Sequence, residues 1–354
     1  MADVFDPMAG QAQPVTAAAG DGEPAVHDIG VAVYVIPTDA PEADGTLAWN
    51  KTTMIVVTAR ADAERGIGWT YGAAAAAGIV TDVPAGMVVG RCAFDIPGAA
   101  EAMARAVRNI GRPGAAAMAI SAVDVALWDL KARLLGLPVS ALLGRALDHV
   151  PIYGSGGFTS YDDQQTREQL TGWVERDRIP RVKIKIGQDR GGDEGRDLAR
   201  VALAREIIGP DRELYVDANG AYGAGQAVRM GRQLAGYGVT WFEEPVSSQD
   251  LAGLASVRRQ IEPDVAAGEY SWSLADSARL IEAGAVDCLQ LDVTRCGGVT
   301  EFLRGAALAA GHNLPLFDGV LDPRGGKLAP DPGRPGLGLE LRAADAARYR
   351  SAGG

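Results

Sequence analysis

Three acidic residues recur at equal spacing in the second half of this 354-residue chain. They are Asp217 in YVDANG, Glu243 in WFEEP and Glu269 in AAGEY, separated by 26 residues in each step. Each follows a short β-branched or aromatic run of the kind that forms a strand. One such acid alone reads as a strand-end cap or an exposed loop carboxylate. Three that converge repel one another, so the set calls for a cation among them. Oxygen ligands without histidine or cysteine select a hard ion, and Mg2+, completed by water and substrate oxygens, is the natural candidate. Lys183 and Lys185 stand two apart in VKIKIG, so on a strand both face one way, with Ile184 and Ile186 facing the other. Inward lysines are costly unless anions neighbour them. Mutual repulsion is expected to lower each lysine's pKa, which would suit one of them to act as a general base near neutral pH. Structural lysines bridging the acids are the plainer alternative. Asp292 in LQLDV lies one unit beyond Glu269 and reads as a further acid–base group or as the orienter of a histidine.

These side chains need elements to aim them. Beyond residue 148, strand-like runs (VPIYGSG, RVKIKIG, ELYVDANG, TWFEEPV, VAAGEYS, DCLQLDV and NLPLFD) alternate with amphipathic helical stretches such as DLARVALAREIIG. Repeated β–α units demand a parallel sheet with helices outside it. Lys185, Asp217, Glu243, Glu269 and Asp292 fall at the ends of five consecutive strands, which is how a (β/α) barrel builds its site. A doubly wound sheet would instead gather its chemistry at one glycine-rich turn, and the chain has no GxGxxG and no Walker loop. The predicted class is therefore α/β, a (β/α) barrel behind an N-terminal α+β unit.

The N-terminal unit is read from GVAVYVI, TTMIVVTARA and GIGWTYG as a three-stranded antiparallel meander. Between its first two strands, PTDAPEADGTLAW is expected to be a loop. Helices follow, chiefly AAAMAISAVDVALWDLKARLLG, where Ile120, Val123, Leu127, Leu130 and Leu134 share a face and Gly136 and Pro138 end the helix. The division is residues 1–27 as a disordered tail, 28–147 as the N-terminal α+β unit, 148–318 as barrel, and 319–354 as a C-terminal segment packing back on the N-terminal unit.

Composition narrows the class of function. The chain is 47% hydrophobic and 22% charged, ordinary for a globular protein with a sizeable core, and its net charge of −11 argues against nucleic acid. No apolar run approaches the roughly 18 residues that span a bilayer. Lys51 is the first basic side chain, so the opening residues predict no leader, and three cysteines without a CxxC predict a reduced, cytoplasmic protein.

Taken together, AISAVDVALWDLKARLLGLP, the KxK of VKIKIG, VDANG, FEEP, GE and DVTRCGGVT resemble the enolase superfamily, in its mandelate racemase / muconate-lactonizing enzyme branch. The resemblance implies a (β/α) barrel of modified TIM type with an N-terminal α+β capping domain, Asp217, Glu243 and Glu269 as Mg2+ ligands, and Lys185 as the base that takes the proton α to a substrate carboxylate. It implies Lys183 as the group stabilising that carboxylate, Asn219 as a substrate-binding and ordering residue, and Asp292 as the aspartate of an Asp–His dyad. Residues Thr38–Asn50 would set specificity. A small hydroxy-carboxylate substrate and a homo-oligomer are implied as well. The expected reaction passes through an enediolate and is that of a sugar-acid (aldonate-type) dehydratase. The alternatives are a racemase or epimerase of an α-hydroxy acid, and a catalytically degenerate metal-binding homologue.

One stretch departs from the pattern. None of the three histidines, His27, His149 and His312, fits the dyad, and only seven strands can be counted. The expectation is that several tens of residues are absent around Pro315–Leu316, including helix seven, strand eight and the histidine.

Overall fold

The computed structural model of the protein describes residues 18–312 and 326–351. Its first layer is the antiparallel meander β1 (Val26–Ala43), β2 (Ala48–Ala61) and β3 (Glu64–Tyr71), in that order. The expected loop after Ile36 is mostly strand. Pairing continues through Pro37↔Lys51, breaks in register, and resumes at Glu42↔Trp49 and Ala43↔Ala48. Prolines 37 and 41 are tolerated because β1 is an edge strand, where a missing amide costs no ladder bond. The hairpin therefore reaches far beyond its sheet, and its tip is residues 44–47.

The long helix Ala115–Leu134 covers one face of this meander. Ile120, Val123, Leu127 and Leu130 are buried, as their spacing predicts. The contact is a close one, because Gly66 and Gly68 of β3 present no side chain where they face the backbone of Ala122, Ala126 and Leu130. Asp129, also buried, accepts the amide of Ile67 on β3 (2.8 Å) and that of Leu337 from the C-terminal stretch (2.6 Å). Arg133 joins Asp129 to Glu340, and Ser351 donates its amide to Val33 of β1 (2.8 Å).

The second layer is parallel. β5 (Gly154–Gly156), β6 (Arg181–Lys185), β7 (Glu213–Asp217), β8 (Val239–Glu243), β9 (Asp264–Ala267) and β10 (Cys288–Leu289) lie side by side in chain order. Helices at Glu194–Ile208, Ala224–Ala235, Leu251–Arg258, Leu274–Glu282 and Gly298–Gly311 complete the β–α rhythm. The run VPIYGSG is two strands rather than one. β4 (Val150–Pro151) pairs antiparallel with β11 (Lys327–Leu328), and only Gly154–Gly156 joins the parallel sheet. The run NLPLFD and the stretch around Pro315–Leu316 lie outside the described residues.

Helix Gly298–Gly311 also packs on the capping helix, and a buried carboxylate sits between them. Asp124 accepts the amide (3.0 Å) and the hydroxyl of Thr300, while Trp128 donates to the same hydroxyl (3.0 Å). Burial pushes the Asp124 carboxyl up to about 7, against the lowering effect of the Thr300 hydrogen bonds. The folded chain thus keeps a proton that the unfolded chain, with a carboxyl pKa near 4, releases. Stability assigned to this side chain is accordingly full at low pH and falls as pH rises from about 4 to about 7. Asp124→Asn is expected to flatten that decline, read from urea unfolding midpoints at about pH 5 and about pH 7; an unchanged slope would discard this account.

Candidate active site

Strand register brings the polar residues together. β6 pairs Lys183 with Tyr215 and Lys185 with Asp217, and β7 pairs Tyr215 with Trp241 and Asp217 with Glu243. Because side chains on a strand repeat every second residue, two layers form inside the sheet. The lower layer stacks Tyr215 on Trp241 (5.4 Å between ring centres), with Tyr153 edge-on to Tyr215 (5.5 Å). Above it, Lys185, Asp217 and Glu243 stand level at the strand ends. Ile184 and Ile186 point the opposite way into the main core, as the alternation predicts.

The charged groups form one network. Lys183 donates to Glu243 and lies 3.3 Å from Asp217 Oδ2, with its ammonium 5.2 Å from the Tyr153 ring centre. Lys185 donates to Asp217 and to Asn219 Oδ1 (2.9 Å). Asn219 adopts a left-handed backbone (φ 45°), which asparagine tolerates better than most residues, and its amide donates to Asp217 Oδ1 (2.9 Å). Its side chain reaches Glu269 Oε1 at 3.4 Å. Glu269 itself lies two residues beyond β9.

Burial shifts these groups, and the charge balance decides the sign. Burial alone would lower both lysines. For Lys183 the carboxylates of Glu243 and Asp217 outweigh it and hold the pKa well above the usual lysine value. For Lys185 burial is again the largest effect, but Asp217, Glu243 and Glu269 together outweigh it and the repulsion from Lys183, so its pKa is raised. The expectation that the pair would lower each other's pKa is therefore corrected. The repulsion exists, and the closer carboxylates outweigh it. Asp217 is held well below the carboxylate range, since the two ammonium groups offset its burial, whereas burial and the Asp217 charge push Glu243 up.

Asp292 is placed apart from this network. It follows β10 in a tight turn, where its Oδ1 accepts the amide and hydroxyl of Thr294 (2.7 Å each) and its Oδ2 faces Arg295 Nε at 3.3 Å. Thr70 of β3 donates to the Thr294 carbonyl (2.8 Å), tying this turn to the capping domain. All three histidines are exposed, so Asp292 has an arginine where the resemblance implies a histidine.

Sequence reasoning missed four contributors. Gln290 donates to Glu243 Oε1 (3.0 Å), and its place two residues before Asp292 was an available signal. Tyr153 lies over Lys183. Arg295 packs 5.5 Å from the Tyr270 ring centre. Glu244, the second acid of FEEP, is buried with a left-handed backbone (φ 38°), and its Oε1 has no hydrogen-bond partner.

Among the described residues no three acidic, histidine or cysteine side chains are grouped closely enough to hold a metal ion, and the two lysines pair with the oxygens of Asp217 and Glu243. The donor chemistry nonetheless fits magnesium. Asp217, Glu243 and Glu269 offer only oxygen, from the ends of three adjacent strands, and the next residue, Glu244, has a buried Oε1 without a hydrogen-bond partner, its carboxyl pushed well above the usual range by burial and by the neighbouring carboxylates.

Comparison with known proteins decides the lineage. Residues 31–144 match the mandelate racemase / muconate lactonizing enzyme N-terminal domain, and residues 165–319 match the enolase C-terminal domain-like family. D-galactarolactone cycloisomerase of Agrobacterium fabrum is 32% identical over 287 residues, 80% of this chain and 75% of that protein. The chain belongs to the mandelate racemase / muconate lactonizing enzyme branch of the enolase superfamily. L-talarate/galactarate dehydratase of Salmonella typhimurium is 36% identical over 59% of this chain, and the match spans 52% of that relative's length. Other relatives in this superfamily include arabinonate, D-gluconate and L-rhamnonate dehydratases and a hydrophobic dipeptide epimerase. Among solved structures, a mandelate racemase/muconate lactonizing enzyme-like protein from Rubrobacter xylanophilus superposes with a TM-score of 0.87. It is 45% identical and covers 93% of this chain and 100% of its own. A racemase from Streptomyces coelicolor, solved with bound magnesium, has a TM-score of 0.87 at 29% identity, covering 92% of this chain and 100% of its own. The superfamily places its cap and parallel sheet as they stand here.

Proposed function

We propose that the chain removes the proton α to the carboxylate of a small hydroxylated acid and expels water, acting as a sugar-acid dehydratase. The observation that carries this reading is Lys185, a half-buried amine at a strand end, level with the carboxylates and aligned by Asp217 and Asn219. Magnesium, when held by Asp217, Glu243 and Glu269, supplies Lewis-acid stabilisation of negative charge on the substrate carboxylate. Lys183 adds a fixed positive charge for the enediolate, most effective because it is buried. Lys185, in its neutral form, takes the α-proton, and the same proton returned to the leaving hydroxyl releases water. One residue thereby serves both halves of the elimination.

Racemisation requires a second base opposite Lys185, and the turn that would supply it has Asp292 committed to Thr294 and Arg295. That favours dehydration. Degeneration is disfavoured by the intact set of two lysines and three acids. The reading takes residues 28–147 as cap, 148–318 as catalytic barrel and 319–354 as a strap returning to the cap. It further takes the enzyme as a homo-oligomer, following the resemblance, and as cytoplasmic, consistent with a sequence that has three cysteines and no CxxC. No described helix is long and apolar enough to cross a membrane.

The test is solvent-deuterium incorporation at the α-carbon across a set of sugar acids and α-hydroxy acids, with Mg2+ and then with EDTA. Metal-dependent exchange and a product lighter by one water are expected. An inverted centre without loss of water would replace the reading with racemisation. No exchange from folded, magnesium-binding protein would leave only the degenerate homologue.

A further inference from the structure

Two buried charged side chains, Asp197 and Arg200, stand one turn apart on the helix Glu194–Ile208. A buried charge is costly unless it is well partnered, and each of these finds its partners on a loop at the strand ends. Asp197 Oδ1 accepts the amides of Gly187 (2.9 Å) and Gln188 (3.1 Å), and its Oδ2 accepts the Tyr222 hydroxyl (2.6 Å). Arg200 directs its donors to carbonyls. Nη1 donates to Tyr161 (3.0 Å), and Nη2 donates to Gly157 and Phe158 (2.6 Å each).

With its carbonyls gathered by Arg200, the loop 157–161 turns its own donors toward the cap. The Ser160 hydroxyl donates to Pro41 (2.8 Å), the Thr159 amide to Ala43 (2.8 Å) and the Thr159 hydroxyl to Asp44 (2.7 Å), in each case to a main-chain carbonyl of the β1–β2 hairpin. A fourth bond runs from the Arg190 amide to the Gly45 carbonyl (3.0 Å). All four go from a barrel donor to a cap carbonyl. Gly45 sits so close that a Cβ there would stand 2.8–2.9 Å from the carbonyl oxygens of Gly187, Ile186 and Ala218.

Arg190 can donate there because its segment is left-handed, with Gly187 (φ 86°), Asp189 (φ 53°), Arg190 (φ 56°) and Gly191 (φ 78°) all at positive φ. Two successive left-handed residues with side chains are strained, so the surroundings must hold them. Asp197 grips one end of this turn, and Gln226 grips the other by donating to the Gly191 carbonyl (2.6 Å). The same two loops bracket Lys185. Its amide donates to the Gly157 carbonyl (3.1 Å), which Arg200 also holds, and Gly187, two residues on, is held by Asp197.

We propose that Arg200 and Asp197 are positioning residues that set the end of the Lys185 strand and the seat of the cap hairpin as one unit. Seating the hairpin and aligning the base are then coupled through one helix. The inference rests on the reading of Lys185 as the base and extends it to two residues outside the lysine–carboxylate network.

Amide hydrogen exchange, read residue by residue on the full chain with Mg2+, tests this without a substrate. The Thr159 and Arg190 amides report on the seated hairpin and the Lys185 amide on the base. Arg200→Lys keeps the charge but replaces a planar fork with a point donor that cannot span three carbonyls. It should speed exchange at both Thr159 and Lys185 by about tenfold or more, the loss expected when hydrogen bonds from a charged group are broken, with the circular dichroism spectrum unchanged. Asp197→Ala should expose Arg190 in the same way. Asp197→Asn, whose Oδ1 still accepts both amides, should recover the protection. On an acid that exchanges its α-proton, Arg200→Lys should raise KM and lower kcat together. A merely structural role would lower kcat through the folded fraction and leave KM unmoved. That outcome, protection lost at only one of Thr159 and Lys185 or at neither, or Asp197→Asn behaving as Asp197→Ala would each overturn the proposal. The two readings fail separately. If no acid exchanges its α-proton, the dehydratase reading falls and the amides still decide the coupling.

Discussion

Lys185→Ala should abolish α-proton exchange while leaving the protein folded. General acid–base catalysis by a positioned side chain contributes roughly 10²–10⁴-fold, and no second base stands in the network to replace it. The other amine, Lys183, is committed to Glu243 and Asp217. Folding should survive, because Asp217 keeps Lys183 at 3.3 Å and the Asn219 amide at 2.9 Å once Lys185 is gone. The measurement is deuterium incorporation at the α-carbon under saturating acid, set beside the circular dichroism spectrum of the variant. Lys185→Arg is the informative companion, since it retains the charge but cannot give up a proton near neutral pH. It should be as inactive as the alanine variant. Exchange persisting in either variant would remove Lys185 from the chemistry.

The largest expected effect on stability comes from a single methyl group on β3. A Cβ at Gly68 would stand 2.1 Å from the Ala122 carbonyl oxygen and 2.5 Å from the Ala126 amide nitrogen. Both atoms belong to the backbone of a buried helix, so no side chain can swing aside, and relief requires moving the helix off the sheet. Overpacking of this kind costs about 3 kcal/mol or more. Gly68→Ala should lower the urea midpoint accordingly. Gly78→Ala is the control, placed in the helix Ala75–Asp82 with no atom within 4 Å of its would-be Cβ. There alanine should stabilise by about 0.5–1 kcal/mol, through helix propensity alone. One substitution applied at two glycines thus gives opposite signs, and equal effects would discard the close-packing account.

Much of the site was legible before any coordinates. Lys183 and Lys185 had to share a face because strand side chains alternate, and equal 26-residue steps had to place Asp217, Glu243 and Glu269 on successive strands. The long capping helix followed from its apolar spacing and its glycine and proline stop. What misled was local composition. The prolines and acids of residues 37–43 suggested a loop, yet an edge strand accepts both, and the hairpin extends until Gly45 at its tip meets the backbone carbonyls of Ile186, Gly187 and Ala218. VPIYGSG likewise looked continuous, but its first two residues pair with the C-terminal segment and its last three with β6.

The sequence by itself determined which residues could carry the chemistry, because period and spacing are properties of the chain alone. Tertiary structure decided what those residues do to one another. The lysines' protonation depends on carboxylates that are 32 to 60 residues away and within hydrogen-bond reach only after strands pair. Gln290 on Glu243, 47 residues apart, and the buried Glu244 arise the same way. Electrostatic interaction follows distance through space and the local loss of water, and neither quantity is written in sequence separation.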